Sequence, residues 1–187
     1  MNNTAAALVT LLVGLAGFAC SAGGPPNPEA INPVTLSGPR GSMGGVEVHN
    51  EPSISRETVT AAPDAVWGAL PAVYRELEIA EAGADTAQLV YGAVDFTPRR
   101  IAGHRLSRYI DCGMGLTAVP KADEYAVTMS VLTRLAPGDG GTTVVTTSVI
   151  ARAKQRGVSG NPVYCQSKGM LEAEIIRAVV TELSRGS

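Results

Sequence analysis

The chain has 187 residues, a formal net charge of -2 at pH 7 and only 4% aromatic residues. Near-neutral charge argues against a nucleic-acid-binding protein, because that function needs a clear excess of Lys and Arg. The length is sufficient for one domain, and two phenylalanines and one tryptophan leave its core to Val, Leu, Ile, Ala and Met.

The chain begins with an uncharged, mostly apolar segment that ends at a cysteine. Residues 5–19 contain only Ala, Leu, Val, Gly, Thr and Phe. This run is too short to cross a hydrocarbon core of roughly 30 Å, which takes about twenty helical residues. It matches the apolar region of a secretory signal, with small residues before the cleavage point. We therefore predict a signal peptide over residues 1–19 and export from the cytoplasm.

The junction resembles bacterial lipoprotein signal peptides, in which the cysteine after the cleavage point becomes diacylated. Ala19-Cys20 fits that pattern, whereas Gly17 and Phe18 depart from it. The resemblance implies a lipid on Cys20 that holds the protein to a membrane, and Ser21 implies the periplasmic side of the outer membrane if the cell has two membranes. Two alternatives stay open: a soluble periplasmic or secreted protein, or an uncleaved anchor.

Residues 20–52 are rich in Pro and Gly and show no apolar periodicity, as in Gly23-Gly24-Pro25-Pro26. We predict a lipid-anchored or disordered tether here. Such a segment would span roughly 100 Å as extended polyproline II but only about 30 Å as a coil. Either length is enough to hold a domain clear of a bilayer surface.

Residues 53–187 are predicted to form a single domain that begins with a strand and a helix. Residues 54–61 are rich in β-branched side chains and alternate weakly. Pro63 suits the first position of a helix, where its missing N–H costs nothing. The helix has an apolar stripe at helical spacing, made of Val66, Leu70, Val73 and Leu77. Pro71 interrupts this stripe and should kink or restart the helix near Leu70.

Four further strands are expected, over residues 86–97, 105–112, 124–135 and 142–153. Alternation in the second places Leu106, Ile110 and Cys112 on one face and Tyr109 on the other. Residues 137–141 form a hairpin connection between the last two strands. The hydroxyl side chains of these strands are interpreted as the water-facing side of the sheet: Thr128, Ser130, Thr143, Thr147 and Ser148.

A C-terminal helix is predicted from a cap at Ser167 to about Ser184, with Leu171, Ile175, Val179 and Leu183 on one stripe. Strands joined by hairpins and separated from the helices indicate an α+β fold, in which an antiparallel sheet packs against the long C-terminal helix in the order β-α-β(4)-α.

The segment 58–70, Thr-Val-Thr-Ala-Ala-Pro-Asp-Ala-Val-Trp-Gly-Ala-Leu, resembles the first strand and helix of helix-grip proteins. These include the START-like superfamily and the BamC-type outer-membrane assembly lipoproteins. Element order and the terminal helix extend the resemblance over residues 54–185. START-like chains usually carry six or more strands after the first helices, so the four expected here favour the smaller, lipoprotein version of the fold.

Cys112 and Cys165 remain once Cys20 is set aside, and in an exported protein two such cysteines usually form a disulfide. Free structural cysteines are the alternative. No His stands at metal-ligand spacing from either, so no metal is predicted. His104, Ser107 and Asp111 invite a hydrolase interpretation, but on one strand His104 and Ser107 would face opposite sides. We therefore expect neither a catalytic residue nor a cofactor.

Two basic stretches stand out, the first over residues 99–108 and the second over residues 152–156. Together they form a possible patch for an anionic partner: Arg99, Arg100, Arg105, Arg108, Arg152, Lys154 and Arg156. Solvated surface charge without a ligand is the alternative. We expect a non-enzymatic interaction or accessory module of the cell envelope, whose partner is an envelope protein or an anionic envelope polymer, and no nucleic acid. The other candidate is a carrier of a small apolar ligand, in a pocket between sheet and helix lined by Tyr125, Met129 and Ile175.

Overall fold

The structure, a computed structural model, describes residues 34–38, 41–46, 54–79 and 82–186, and only the backbone of the first two ranges. The predicted signal peptide and Cys20 lie outside the described residues, as does most of the predicted tether. Within the described ranges, no helix has the length and apolar character needed to cross a membrane.

The described residues form eleven strands and three α-helices, of which the first and the last are long. The strands are β1 (Val34–Gly38), β2 (Gly41–Val46), β3 (Ser55–Val59), β4 (Gly83–Asp85), β5 (Val90–Phe96), β6 (Arg100–Ile101), β7 (His104–Arg105), β8 (Ile110–Asp111), β9 (Ala126–Pro137), β10 (Thr143–Lys154) and β11 (Val163–Ser167). The helices are α1 (Pro63–Glu76), α2 (Lys121–Glu124) and α3 (Met170–Arg185).

Nine strands form one antiparallel sheet in the order β2-β1-β4-β5-β9-β10-β11-β8, and β3 also pairs with β10. The long β9–β10 hairpin is its centre, with Pro137 opposite Thr143 and Ala126 opposite Lys154. β3 and β11 share the free edge of β10, β3 along its first half and β11 near its end. The predicted α+β class with an antiparallel sheet is confirmed.

The core lies between one face of the sheet and the two long helices, which pack against each other. Along β10 every second residue is buried, as alternation on a half-covered sheet requires. The predicted stripe of α3 faces this core: Leu171, Ile175 and Val179 are fully buried. Burial of each such side chain contributes about 1.5–3 kcal/mol. The expected packing of the C-terminal helix on the sheet is thus confirmed.

The helix does not restart at Pro71, one of the two outcomes predicted for that residue, because α1 runs through Pro71 to Glu76. A proline inside a helix removes one hydrogen bond and costs about 3 kcal/mol. Val66, Leu70 and Val73 on either side of it are completely buried. Their burial outweighs that cost, at about 1.5–3 kcal/mol for each side chain.

The predicted strand over residues 105–112 is wrong in its middle. After β7 the chain makes a 3-10 turn at Leu106–Arg108 and joins the sheet only in β8. Side chains three residues apart share a face of such a turn. Tyr109 is therefore buried together with Leu106 instead of lying on a polar face.

Thr143 and Thr147 were expected on the water-facing side but are completely buried on the core side of β10. Their hydroxyls are satisfied there, as buried polar groups must be. Thr143 donates to the carbonyl of Ala61 at 2.6 Å. The Thr147 hydroxyl lies 3.1 Å from that of Thr133, which lies 2.9 Å from the Tyr74 hydroxyl. The other three predicted residues lie on the opposite face, where Thr128 and Ser148 are half-buried. Ser130 is buried there, so its predicted exposure to water is also wrong, and its hydroxyl accepts the N–H of Asp95.

β1 and β2 fall inside the range predicted as a structureless tether. They pair with each other, and Ser37 of β1 is opposite Ala84 of β4. Backbone pairing needs no apolar side chains, so the glycine-rich sequence of β2 gave no alternation to detect. The sheet therefore begins before residue 53. β4 also differs from prediction, because it and a turn precede a shorter β5 where one strand over residues 86–97 was expected.

The C-terminal helix begins later than predicted, since Ser167 ends the unpredicted strand β11 and α3 starts at Met170. Gly169 makes the turn between them with a φ of 73°, a conformation that favours glycine. Ser167 still acts on the helix end. Its hydroxyl accepts the N–H of Gly169 at 3.1 Å and is hydrogen bonded to the carboxylate of Glu172.

Candidate functional site

The end of the sheet where β9 begins and β10 finishes, which we call the cleft end, carries three adjoining surface clefts. The first, of about 370 Å³, lies between Arg99, α2 and Arg156. The second, of about 400 Å³, follows the chain from Lys154 to Ser159. The third, of about 220 Å³, lies between Lys121 and the β10–β11 connection. Neighbouring clefts share side chains, so they form one continuous surface.

The seven predicted basic residues do not form a single free patch. Arg108 pairs with Glu174 at 3.1 Å, and Arg152 pairs with Asp95 at 3.1 Å. Arg100 donates to the carbonyl of Gly103 at 2.8 Å. These three cations are therefore held by partners at separate places on the molecule.

The Arg152 pair depends on an irregularity of β5. The register of β5 with β9 shifts between Ala93 and Phe96, and Asp95 has a φ of 51°. Such a bulge re-aims a side chain. The N–H of Asp95 donates to Ser130 at 3.0 Å, and its carboxylate reaches Arg152 across the sheet. Sequence alternation alone cannot reveal this contact, since the bulge breaks the period.

Arg108 belongs to a small cluster with Tyr109 and Glu174. Its guanidinium lies 5.9 Å from the centre of the Tyr109 ring, and the Tyr109 hydroxyl donates to Glu174 at 2.8 Å. Burial, together with this bond to a carboxylate, raises the pKa of Tyr109 to about 12. The tyrosine is therefore a neutral donor at physiological pH, and the cluster ties the 3-10 turn to α3.

The remaining predicted cations are exposed, and three of them meet at the cleft end. Arg99 and Arg156 line the first cleft, and Lys154 lies beside Arg156 in the second. None of these three has an ion-pair partner among the described residues. Arg105 is exposed on β7, opposite Arg100 of β6. The structure thus unites one residue of the first basic stretch with two of the second.

Sequence reasoning missed Lys121, which joins Lys154 in lining the third cleft. It stands alone between uncharged neighbours, so no local signal marked it. Two acids also face the first cleft, and both have partners. Asp123 accepts the N–H and hydroxyl of Ser107 at 3.0 and 2.7 Å, and Glu124 accepts the hydroxyl of Thr117 at 3.3 Å. These donors are neutral and leave both carboxylates charged, but the four cations that line the three clefts outnumber the two acids.

Exposed apolar side chains accompany these cations, and we call them the apolar rim: Met114, Leu116, Val119, Val158, Val163 and Tyr164. Leu116 is fully exposed, and Tyr164 is 81% exposed. Four of them lie on loops, and Val163 and Tyr164 lie on β11. Single exposed apolar residues are ordinary, whereas groups of them are typical of interaction surfaces.

The predicted pair Cys112 and Cys165 is bonded, with the two sulfurs 2.06 Å apart and a separation of 53 positions in sequence. The bond joins the end of β8 to β11 and lies within two residues of both Met114 and Tyr164. It therefore ties the strand that precedes α3 to its neighbour.

The structure does not assemble His104, Ser107 and Asp111 into a catalytic group. The Ser107 hydroxyl donates to Asp123, whereas Asp111 accepts the N–H of Gly113. The ring of His104 lies against that of Tyr109. Within the described ranges, no three His, Cys, Asp or Glu side chains are placed to share a metal ion.

The three residues named for an apolar pocket lie in different surroundings. Met129 and Ile175 are fully buried in the core, whereas Tyr125 lines the surface clefts and its hydroxyl is 3.5 Å from the side-chain oxygen of Gln155. A fourth cleft, of about 300 Å³, lies beside Tyr74 and Tyr91 at the end of α1. Neither Met129 nor Ile175 lines any of these four clefts of the described chain.

No protein-family model matches the chain, and no curated protein shows significant similarity to it.

Proposed function

We propose that the protein is an exported envelope protein, held to a membrane by a lipid on Cys20, whose domain is a non-enzymatic interaction module for an anionic partner. The observation that carries the proposal is the cleft end. Three of its cations, brought from both predicted basic stretches, face shared clefts and have no ion-pair partner among the described residues. A surface of this kind attracts negative charge.

Export is supported by two independent features of the chain. The apolar leader before Cys20 resembles a lipoprotein signal, and the Cys112–Cys165 pair is bonded. Disulfides form and persist in compartments outside the cytoplasm. A lipid at Cys20 would also explain why the third cysteine stands outside the disulfide.

An interaction module is favoured over an apolar carrier because of the packing between sheet and α3. Met129 and Ile175, which would line the carrier's pocket, contribute to a continuous buried cluster. The clefts with unpaired polar groups lie at the surface, where a large partner has access to them. The carrier interpretation has no comparable supporting observation.

The test is fractionation and intact-mass measurement of the chain from cells in which it is exported. We expect the wild-type chain in the membrane fraction, without residues 1–19 and with acyl mass on Cys20, and the Cys20→Ser variant in the soluble fraction. A wild-type chain recovered soluble and without acyl mass would contradict the anchor.

The same cells, treated with an amine-reactive or photoactivated cross-linker, test the module. We expect the double variant Arg99→Glu, Arg156→Glu to lose the adducts that the wild type forms in the envelope. Arg177→Glu, an exposed reversal on α3, is the matched control and should keep them. Equal adducts in all three chains would exclude the cleft end as the binding surface.

A further inference from the structure

The apolar rim includes the tip of a loop that is closed on itself. The N–H of Gly115 donates to the carbonyl of Val119 at 2.8 Å, and Met114 forms an isolated bridge with Pro120. Leu116 lies inside this closed loop and is completely exposed. A leucine in that position adds nothing to the core, so its apolar surface is available for an external apolar phase.

The rim and the free cations belong to the same surface. Lys121 donates its backbone N–H to Gly113 at 2.9 Å, and its side chain lines the third cleft together with Val158 and Val163. Lys154 lines that cleft as well. Tyr164 lies opposite Arg152 on β10, on the face of β11 away from Cys165. Apolar and cationic side chains are therefore interleaved over residues 113–121 and 154–164.

The local charge balance is positive. Four cations line the three clefts, namely Arg99, Lys121, Lys154 and Arg156. The same clefts contain two acids, Asp123 and Glu124, which accept hydrogen bonds from the neutral residues Ser107 and Thr117 and keep their charge, so the cations exceed them by two. Juxtaposed cations and exposed apolar side chains match the interface of an anionic bilayer, where phosphates lie directly above the acyl chains.

We propose that the cleft end docks against the surface of an anionic lipid bilayer, with Leu116 and Val158 entering the boundary between headgroups and acyl chains and the four cations contacting the phosphates. This inference rests on the proposed function, because the lipid at Cys20 holds the domain within reach of the bilayer. It identifies the anionic partner of the cleft end as the membrane surface itself. A protein partner is the outcome that the test must separate from it.

The experiment is hydrogen exchange, followed by mass spectrometry, of the full chain purified from membranes and reconstituted in two kinds of vesicle. One kind is pure phosphatidylcholine, and the other contains 30% phosphatidylglycerol. We expect slower exchange of residues 113–119 and 157–164 on the anionic vesicles only. The outer face of α3 around Arg177 should exchange equally on both kinds.

Variants then identify the side chains responsible. The substitutions Lys154→Gln and Arg156→Gln each remove one positive charge. Each should lower the protection from hydrogen exchange on anionic vesicles about fivefold, because one cation near an anionic surface contributes about 1 kcal/mol. Leu116→Ser should lower it about tenfold through lost apolar burial. Arg177→Gln and Val180→Ser, changes at exposed sites on α3, are the matched controls and should leave the protection unchanged.

Each outcome decides between the two proposals. Flotation of the same samples in a density gradient shows whether the chain is bound to the vesicles. Chain that floats with both kinds of vesicle but has identical hydrogen exchange on them would overturn docking and leave the anchor intact. Chain that floats only with anionic vesicles, with residues 113–119 protected, would support docking without the lipid anchor. Chain that floats with neither would overturn both. Protection that appears only when envelope proteins are added would overturn the bilayer in favour of a protein partner.

Discussion

At the scale of single residues, Glu172 is a buried carboxylate whose hydrogen bonds are incomplete. It is completely buried near the start of α3, and one of its carboxylate oxygens has no hydrogen-bond partner. The other is bonded to the Ser167 hydroxyl. Burial raises the pKa of Glu172, and the Ser167 bond offsets only part of that effect.

A pKa that is raised in the folded state fixes the direction in which the free energy of unfolding changes with pH. Folded protein binds the Glu172 proton more readily than unfolded protein, so this group destabilises the fold as pH rises above 4.5, the ordinary value, through the raised value. We expect Glu172→Gln to stabilise the fold at pH 7 by about 1 kcal/mol, the scale of an unsatisfied buried polar group. The gain should shrink as pH falls toward the ordinary value. Urea unfolding at several pH values measures it.

Glu76→Gln provides the control, since its carboxylate is about half exposed. Surface changes of this kind stay within about 0.5 kcal/mol. Equal stability of Glu172→Gln and wild type at pH 7, with the same pH dependence, would show that the buried carboxylate carries no cost.

At the scale of elements, the β8–β11 pair depends on few backbone bonds. β8 has two residues, and its pairing with β11 covers only Asp111 with Gln166 and Ile110 with Ser167. The disulfide adds a covalent link beside these two residue pairs. Closing a loop of 53 residues stabilises a fold by about 4 kcal/mol in the chain-entropy account.

We therefore expect the double variant Cys112→Ala, Cys165→Ala to lose up to about 4 kcal/mol in urea unfolding. Its β11 amides should exchange faster than those of β9, because the central hairpin keeps its own ladder. Cys20→Ser, which leaves the pair intact, should unfold as the wild type does. If thiol reduction of the wild type changed neither measurement, the disulfide would have no structural role.

At the scale of the whole molecule, the core between sheet and helices is continuous. Leu70 and Val73 of α1, Met129 and Val131 of β9 and Ile175 of α3 all belong to one buried cluster. Truncating a side chain in such a cluster leaves a cavity and costs about 2–5 kcal/mol. In a ligand carrier the same side chain would border an existing pocket, and its loss would cost far less.

Ile175→Ala therefore distinguishes the two interpretations. We expect a loss of about 2–5 kcal/mol in urea unfolding, and no saturable uptake of an apolar fluorescent probe by the wild type. Val180→Ala on the exposed side of α3 should change stability by less than about 0.5 kcal/mol. If Ile175→Ala left the free energy of unfolding nearly unchanged and the wild type bound the probe stoichiometrically, the carrier interpretation would be favoured.

Much of the fold follows from periodicity that is visible in the sequence. The stripe of α3 from Leu171 to Val179 and the alternation of Val127, Met129 and Val131 are strong because each element buries one whole face. The same patterns fail where chain geometry departs from a regular period. The 3-10 turn before Tyr109 and the bulge at Asp95 change which face a side chain occupies, and no local signal records either.

Composition and local periodicity were enough to predict the α+β class and the apolar side of α1, α3 and β9, because each of these elements buries one regular face. The disulfide partners followed from setting Cys20 aside, whereas the grouping of the basic residues depends on the tertiary structure. Arg108 and Arg152 are bound to Glu174 and Asp95, residues far away in sequence, whereas Arg99 and Arg156 are brought into one cleft. Contacts between distant segments depend on the sheet register, and the order of residues along the chain does not specify that register locally.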